Sequence, residues 1–194
     1  MKHPFEPQII KNSIGIIIGS LPPDNTEFYY SNSPNTRMWD LLKSIQEDME
    51  NIPKNSYTLS IEEKKYILRE LNLSMTDIIL EYEREQNSTK DNDIIPVKYN
   101  SIETIIKNTS IKNLLFVYES ALKWFLHSLK KEKPIKLDNL PKVKNKEYGI
   151  VDSVSLNGKT INCILLPNPL NRGKKGETLE FKKEIYREWI EKPS

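Results

Sequence analysis

Ile14 to Ile18 form a short apolar run closed by Gly19. A run of that length ending in glycine predicts a buried strand, parallel and central in its sheet. Residues 37–49 then place Trp39, Leu42, Ile45 and Met49 at helical spacing. Ser60-Ile-Glu-Glu63 fits a capping box and predicts a helix from 61 to about 71. Within 71–82, Leu73 and Met75 alternate before Ile78-Ile79-Leu80, which fits a second strand with a short extension. Residues 83–100 are polar and predict a loop. Ser101 caps a short helix through Lys107, and Asn113 to Tyr118 is the next strand. From Glu119 to Lys131, Leu122, Phe125, Leu126 and Leu129 share one helix face. Trp124 falls off that stripe and His127 is expected at the surface. Asn157-Gly158 between alternating apolar residues is a hairpin signal, with Thr160 to Leu166 as the second arm. A last helix over 178–191 spaces Phe181, Ile185 and Trp189 four apart. Strands alternating with helices predict an α/β fold: a three-layer α/β/α sandwich around a central, mostly parallel four-stranded sheet, with 1–194 as one domain.

Composition narrows the class without naming a chemistry. The chain has 194 residues, 37% hydrophobic and 29% charged, which suits one folded domain with a real core. The segment 1–7 is polar, and no apolar run approaches the roughly 20 residues of a membrane span, so neither a secretory leader nor a membrane partner is expected. One cysteine, Cys163, excludes an internal disulfide and fits a reducing cytoplasm; its strand position makes it a core residue. His3 and His127 lie far apart and no HExxH or CxxC occurs, so no metal is expected. Net charge is only +2, but residues 130–147 carry seven lysines, and Arg172, Lys174 and Lys175 form a second basic group. Each fits either a solvated segment or a phosphate-facing edge.

In sheets of this kind ligands bind beyond the carboxyl ends of the strands. Four segments fall there: Gly19 onward, Thr76-Asp77, Tyr118-Glu119, and Pro167 to Gly173. None carries the P-loop or the GxGxxG pattern, and Ser20 lacks the context of a serine nucleophile. Any catalysis would run on Asn, Asp, Ser, Thr, Tyr and backbone groups. That set suits a good leaving group and a cationic transition state, as in cleavage of an N-glycosidic bond.

The stretch "IGSLPPDNTEFYYSNSPNTRMWDLL" resembles the first motif of the uracil-DNA glycosylase superfamily, in its mismatch-specific and hypoxanthine-DNA glycosylase branches. "LNLSMTDII" with "NSTKDNDII" is similar to the family's middle segment, "LLFVYESALKWF" to its third strand and helix, and "CILLPNPLNRG" to its second motif. The resemblance spans about residues 12–190. It implies that Gly19 and Ser20 form a pocket floor and that Tyr30 stacks on or fences an extruded base, with Asp77 and Tyr118 beside it. Asn35 and Thr36 stand at the water-positioning element. Pro167, Asn168, Asn171, Arg172, Lys174 and Lys175 would meet the DNA backbone. No metal or organic cofactor is implied.

This chain departs from the family pattern at Leu21, where other branches carry Asp or Asn, and at Thr36, where the hypoxanthine branch has Asn. Tyr118-Glu119 stands where Asn-Gly is common, and the second motif is short. Three readings follow. The first is a DNA glycosylase releasing a deaminated, mismatched or modified base. The second is a non-catalytic or divergent binder of a modified base or nucleotide on the same fold, for example in genome defence. The third is a hydrolase of free nucleosides or nucleotides. A monomer is expected. Without the resemblance, Tyr29 and Tyr30 are half-buried loop aromatics, Asn35 or Thr36 a helix cap, Asp77 a turn former, and Trp39 and Trp189 core.

Overall fold

A computed structural model describes residues 1–22, 26–30, 36–50, 59–84, 90–143, 147–170 and 177–191. Its central sheet has five strands. In chain order these are β1 (Gly15–Gly19), β2 (Leu73–Asp77), β5 (Asn113–Phe116), β6 (Gly149–Leu156) and β7 (Lys159–Leu165). Between β2 and β5 lie β3 (Ile79–Arg84) and β4 (Ile94–Tyr99), which make a separate two-stranded antiparallel sheet. Spatial order in the main sheet is β2-β1-β5-β7-β6. The first four strands run parallel, and β6 pairs antiparallel with β7.

β1 explains the layering. Side chains alternate along a strand, so Ile16 and Ile18 face one layer while Ile17 faces the other. All three are 0% exposed, and burial of each contributes about 1.5–3 kcal/mol. Ile17 packs on α1 (Met38–Glu50), α2 (Ile61–Glu70) and α5 (Leu179–Glu191), through Leu42, Ile45, Leu68, Tyr186 and Ile190. Ile16 and Ile18 pack on α3 (Ile102–Ile106), α4 (Glu119–Ser128) and the small sheet, through Ile79, Ile94, Leu122 and Phe125. The α/β/α sandwich is therefore confirmed, with five strands in place of four. The extra strand is the first arm of the hairpin, which adds antiparallel to the sheet edge.

Local signals set several boundaries. Ser60 Oγ accepts from the Glu63 amide at 3.2 Å while Glu63 Oε2 accepts from the Ser60 amide at 2.7 Å, so the capping box closes α2 at its start. Such a cap is worth about 1 kcal/mol. Asn157 and Gly158 take positive φ values of 52° and 73°, as a two-residue hairpin turn demands.

Other expectations need correction. The second strand stops at Asp77; after Ile78 the chain leaves the main sheet and pairs with Ile94–Tyr99, inside the stretch expected to be loop. Trp124 and His127 are buried, because residues 133–135 fold over α4. Trp124 Nε1 donates to the Ile135 carbonyl at 3.1 Å, and His127 Nε2 lies 3.0 Å from the Lys133 carbonyl. Met49 is half exposed. On α5 the buried face is Lys182, Lys183, Tyr186 and Ile190, and Phe181 is exposed. Lys183 is admitted by a 2.5 Å ion pair to Asp48, and Lys182 by donating to the Leu170 carbonyl at 2.8 Å. Cys163 is in the core, where burial and then Asp152 push its thiol up to about 12. No helix among the described residues is long and apolar enough to cross a membrane.

Candidate active site at the carboxyl ends of the parallel strands

Gly19 ends β1 and stands opposite Asp77 at the end of β2 in the parallel register. A Cβ added to Gly19 would collide with both the Tyr30 hydroxyl and Asp77 Oδ1. Glycine is needed here for close approach. Tyr30 is held at φ 54°, a left-handed conformation that a bulky residue rarely adopts. Its ring is half-buried, but its hydroxyl is enclosed and has no hydrogen-bond partner among the described residues. Burial first, and then the nearby Asp77, hold that hydroxyl well above the ordinary tyrosine range. Its neighbour Tyr29 belongs to the core, against His3, Phe5 and Phe28, with its carbonyl accepting from Trp39 Nε1 at 2.7 Å.

Asp77 is supported from behind by the first residues of the chain. Gln8 bridges to Met75 and Lys2 to Glu81, which lays this segment along β2 and β3. It delivers His3, whose Nε2 lies 2.9 Å from Asp77 Oδ2 with both side chains almost wholly buried. The Phe5 amide lies 3.1 Å from His3 Nδ1 and donates to it, which leaves Nε2 as the proton-bearing nitrogen. His3 Nδ1 also lies 2.8 Å from the Phe5 carbonyl, and Asp77 Oδ2 accepts from Nε2. Asn100 Nδ2 donates to the Asp77 backbone carbonyl at 2.7 Å and fixes the turn that follows.

A second carboxyl group reaches the same place. Asp91, in the 3-10 turn Asp91–Asp93, accepts from Ser20 Oγ at 3.1 Å and from Ser120 Oγ. Burial raises its carboxyl above the usual range, and the charge of Asp77 adds to this; the two serine bonds and Arg84 oppose it. Tyr118, at the start of α4, has its hydroxyl pushed up by burial and then by Asp91 and Asp77. Glu119 pairs with Lys123 at 3.0 Å along the helix.

The loop after β7 meets the start of α1. Thr36 bridges to Leu170, and the Arg37 amide donates to the Pro169 carbonyl at 2.6 Å. Thr36 Oγ1 is buried without a hydrogen-bond partner among the described residues. Tyr186 Oη donates to the Pro167 carbonyl at 2.9 Å, and the Leu170 amide to Asn168 Oδ1 at 3.3 Å. Pro167 is buried; Asn168 is half-buried.

Gly19, Ser20, Tyr30, Asp77 and Tyr118 are thus gathered at one end of the sheet, and Thr36 is joined to the Pro167–Leu170 segment. Asn35, Asn171, Arg172, Lys174 and Lys175 lie outside the described residues. The sequence pattern does not single out His3, Asp91 or Ser120. His3 is 74 residues from Asp77, and no local period links them. Asp91 stands in the quoted "NSTKDNDII", but only the fold of the small sheet turns it toward Ser20.

No protein-family model matches the chain, and no curated protein matches its sequence. A solved structure does match: the solution NMR structure of a candidate uracil DNA glycosylase from Methanosarcina acetivorans. It superposes with a TM-score of 0.60 at 16% identity, over 97% of this chain and 98% of that one. At that identity the likeness establishes the fold: this chain has a uracil-DNA-glycosylase-like α/β/α architecture.

Proposed function

We propose that the protein hydrolyses the N-glycosidic bond of a deaminated, mismatched or modified base flipped out of DNA, without a cofactor, in the manner of the mismatch-specific or hypoxanthine-DNA branch. The observation that carries this reading is the close approach at Gly19: an aromatic hydroxyl and a carboxylate meet a side-chain-free strand end on a glycosylase-like fold. Base release needs an aromatic wall for the extruded base and a group that takes a proton from water. Tyr30 supplies the wall. Asp77 is the proton acceptor, with His3 holding its far oxygen so that Oδ1 faces the site. Thr36 keeps a buried hydroxyl with unused bonding capacity, which suits the water-holding role the resemblance gives it together with Asn35. Backbone contact to DNA falls to Asn168, Asn171, Arg172, Lys174 and Lys175, with Pro167 fixing the start of that loop.

Labelled duplexes carrying uracil, hypoxanthine, xanthine or a modified pyrimidine, treated with alkali after incubation, test the reading. Strand breakage with at least one of them is expected. None with any of them, at protein excess, would refute it. A second reading, a binder of a modified base or nucleotide, is favoured by the Tyr30 hydroxyl standing against Gly19, where a base would have to displace it. It predicts binding without breakage.

A further inference from the structure

Asp91 enters the site from outside the parallel sheet. Its turn lies between β3 and β4 and is anchored by Asn92 Nδ2, which donates to Asp138 Oδ1 at 2.9 Å. The two carboxyl oxygens are met separately, Oδ1 by Ser20 and Oδ2 by Ser120. Ser20 directly follows Gly19, so Asp91 and Asp77 stand at one strand end with different support. Asp77 faces a proton-bearing imidazole nitrogen, which suits an acceptor. Asp91 faces two serine hydroxyls, and a hydroxyl donates or accepts as it rotates. That pair serves the carboxyl group with its proton or without it, as a proton carrier requires. The charged and titratable groups acting on Asp91 are Asp77, which favours the proton, and Arg84, which opposes it; Asp91 in turn acts on Tyr118. The Tyr30 hydroxyl is enclosed at the same strand end, beside Gly19, with no hydrogen-bond partner among the described residues.

We propose that Asp91 is the general acid of this site, giving its proton to the departing base while Asp77 takes one from the attacking water. The proposal rests on the glycosylase reading. The bond between C1′ and the base nitrogen breaks, and its electron pair leaves with the base. The Asp91 proton neutralises the charge that develops on the base. The water oxygen bonds to C1′ and its surplus proton passes to Asp77. A neutral base and an abasic sugar hydroxyl result, and solvent exchange returns both carboxyl groups to their starting states. Two carboxyl groups held by different partners are the usual basis for dividing acid and base roles.

The test uses the full chain in single turnover at protein excess, across pH, on duplexes carrying deoxyuridine, 5-fluorodeoxyuridine or deoxyinosine, with thermal melts to verify folding. For whichever base is released, the wild-type rate should fall on the alkaline side as Asp91 ionises. Asp91→Asn should lose that limb. It should also slow release of uracil or hypoxanthine by about 100-fold or more, within the range for a lost acid. Release of 5-fluorouracil, the better anion, should slow less. Ser120→Ala, which removes a bond favouring the ionised form, should move the limb to higher pH. An Asp91→Asn variant that melts normally and keeps the alkaline limb, or that slows all bases equally, would overturn the proposal and leave the glycosylase reading standing. No release of any base by the wild-type protein would overturn both.

Discussion

The hairpin tip at Asn157-Gly158 and the strand end at Gly19 solve similar backbone problems in opposite ways. At the hairpin, left-handed φ values fall on Asn and Gly, the residues that adopt them most readily. The polar groups there are satisfied too: Asn157 Nδ2 donates to the Glu103 carbonyl at 2.8 Å, and Lys159 Nζ to the Thr109 carbonyl at 3.2 Å. At the strand end the left-handed residue is a tyrosine, and neither its hydroxyl nor Thr36 Oγ1 has a hydrogen-bond partner among the described residues. Two carboxyl groups are held in low-dielectric surroundings nearby. Strain and unmet bonding capacity concentrate at the strand end, where the proposed function puts the chemistry. The hairpin serves the fold.

The same substitution at both places is the strongest way to break this contrast. Gly19→Ala should cost about 1–3 kcal/mol through overpacking against Tyr30 and Asp77. It should also lower base release by about 100-fold, because a small misplacement of reacting groups has that effect. Gly158→Ala meets no neighbour within 4 Å and should cost about 1–2 kcal/mol through φ alone, with base release unchanged. Equal activity losses would erase the distinction. Denaturant melts and alkaline strand cleavage read both quantities.

Removing His3 comes next. His3→Ala leaves the buried Asp77 oxygen without its donor and should destabilise by about 1.5–3 kcal/mol, the range for hydrogen bonds to charged groups. Urea unfolding measures it, and an unchanged midpoint would show that water replaces the imidazole. The third prediction concerns pH. Asp91's carboxyl is raised by folding, so the native state holds that proton more tightly than the unfolded chain. Its stabilising contribution is present below the ordinary carboxylate range and is lost as pH rises through the raised value. Asp91→Asn should therefore gain on wild type in melting temperature as pH rises from acid to neutral. A constant difference would show that the group is not perturbed. The smallest effect is expected from Tyr30→Phe, which removes a buried hydroxyl that has no partner and should stabilise by about 1 kcal/mol. A lower melting temperature would mean that the hydroxyl is satisfied by solvent.

Elements governed by near neighbours were legible in the sequence. β1 and β5 announce themselves as short apolar runs, α2 through its capping box, and the hairpin through Asn-Gly. The small sheet was hidden because β4, Ile-Ile-Pro-Val-Lys-Tyr, is short, carries a proline, buries just Ile94 and Pro96, and follows the polar run 83–93. The burial of Trp124 and His127 depends on residues 133–135 folding back over their helix, and that of Lys183 on Asp48, far off in sequence. The candidate site divides in the same way. Gly19, Tyr30 and Asp77 were accessible as strand-end residues and through the family resemblance. His3 and Asp91 acquire their surroundings only when separate parts of the chain meet.

The bridge between Thr36 and Leu170, with the Arg37–Pro169 bond beside it, has a consequence for how such a protein changes over generations. It stitches the start of α1 to the loop after β7, the segment that the proposed function sets against the nucleic-acid backbone. A substitution that shifts one is felt by the other. On the proposed function, base preference and strand affinity would be inherited as a linked pair, and a lineage adapting to a new lesion would have to retune its hold on DNA at the same time.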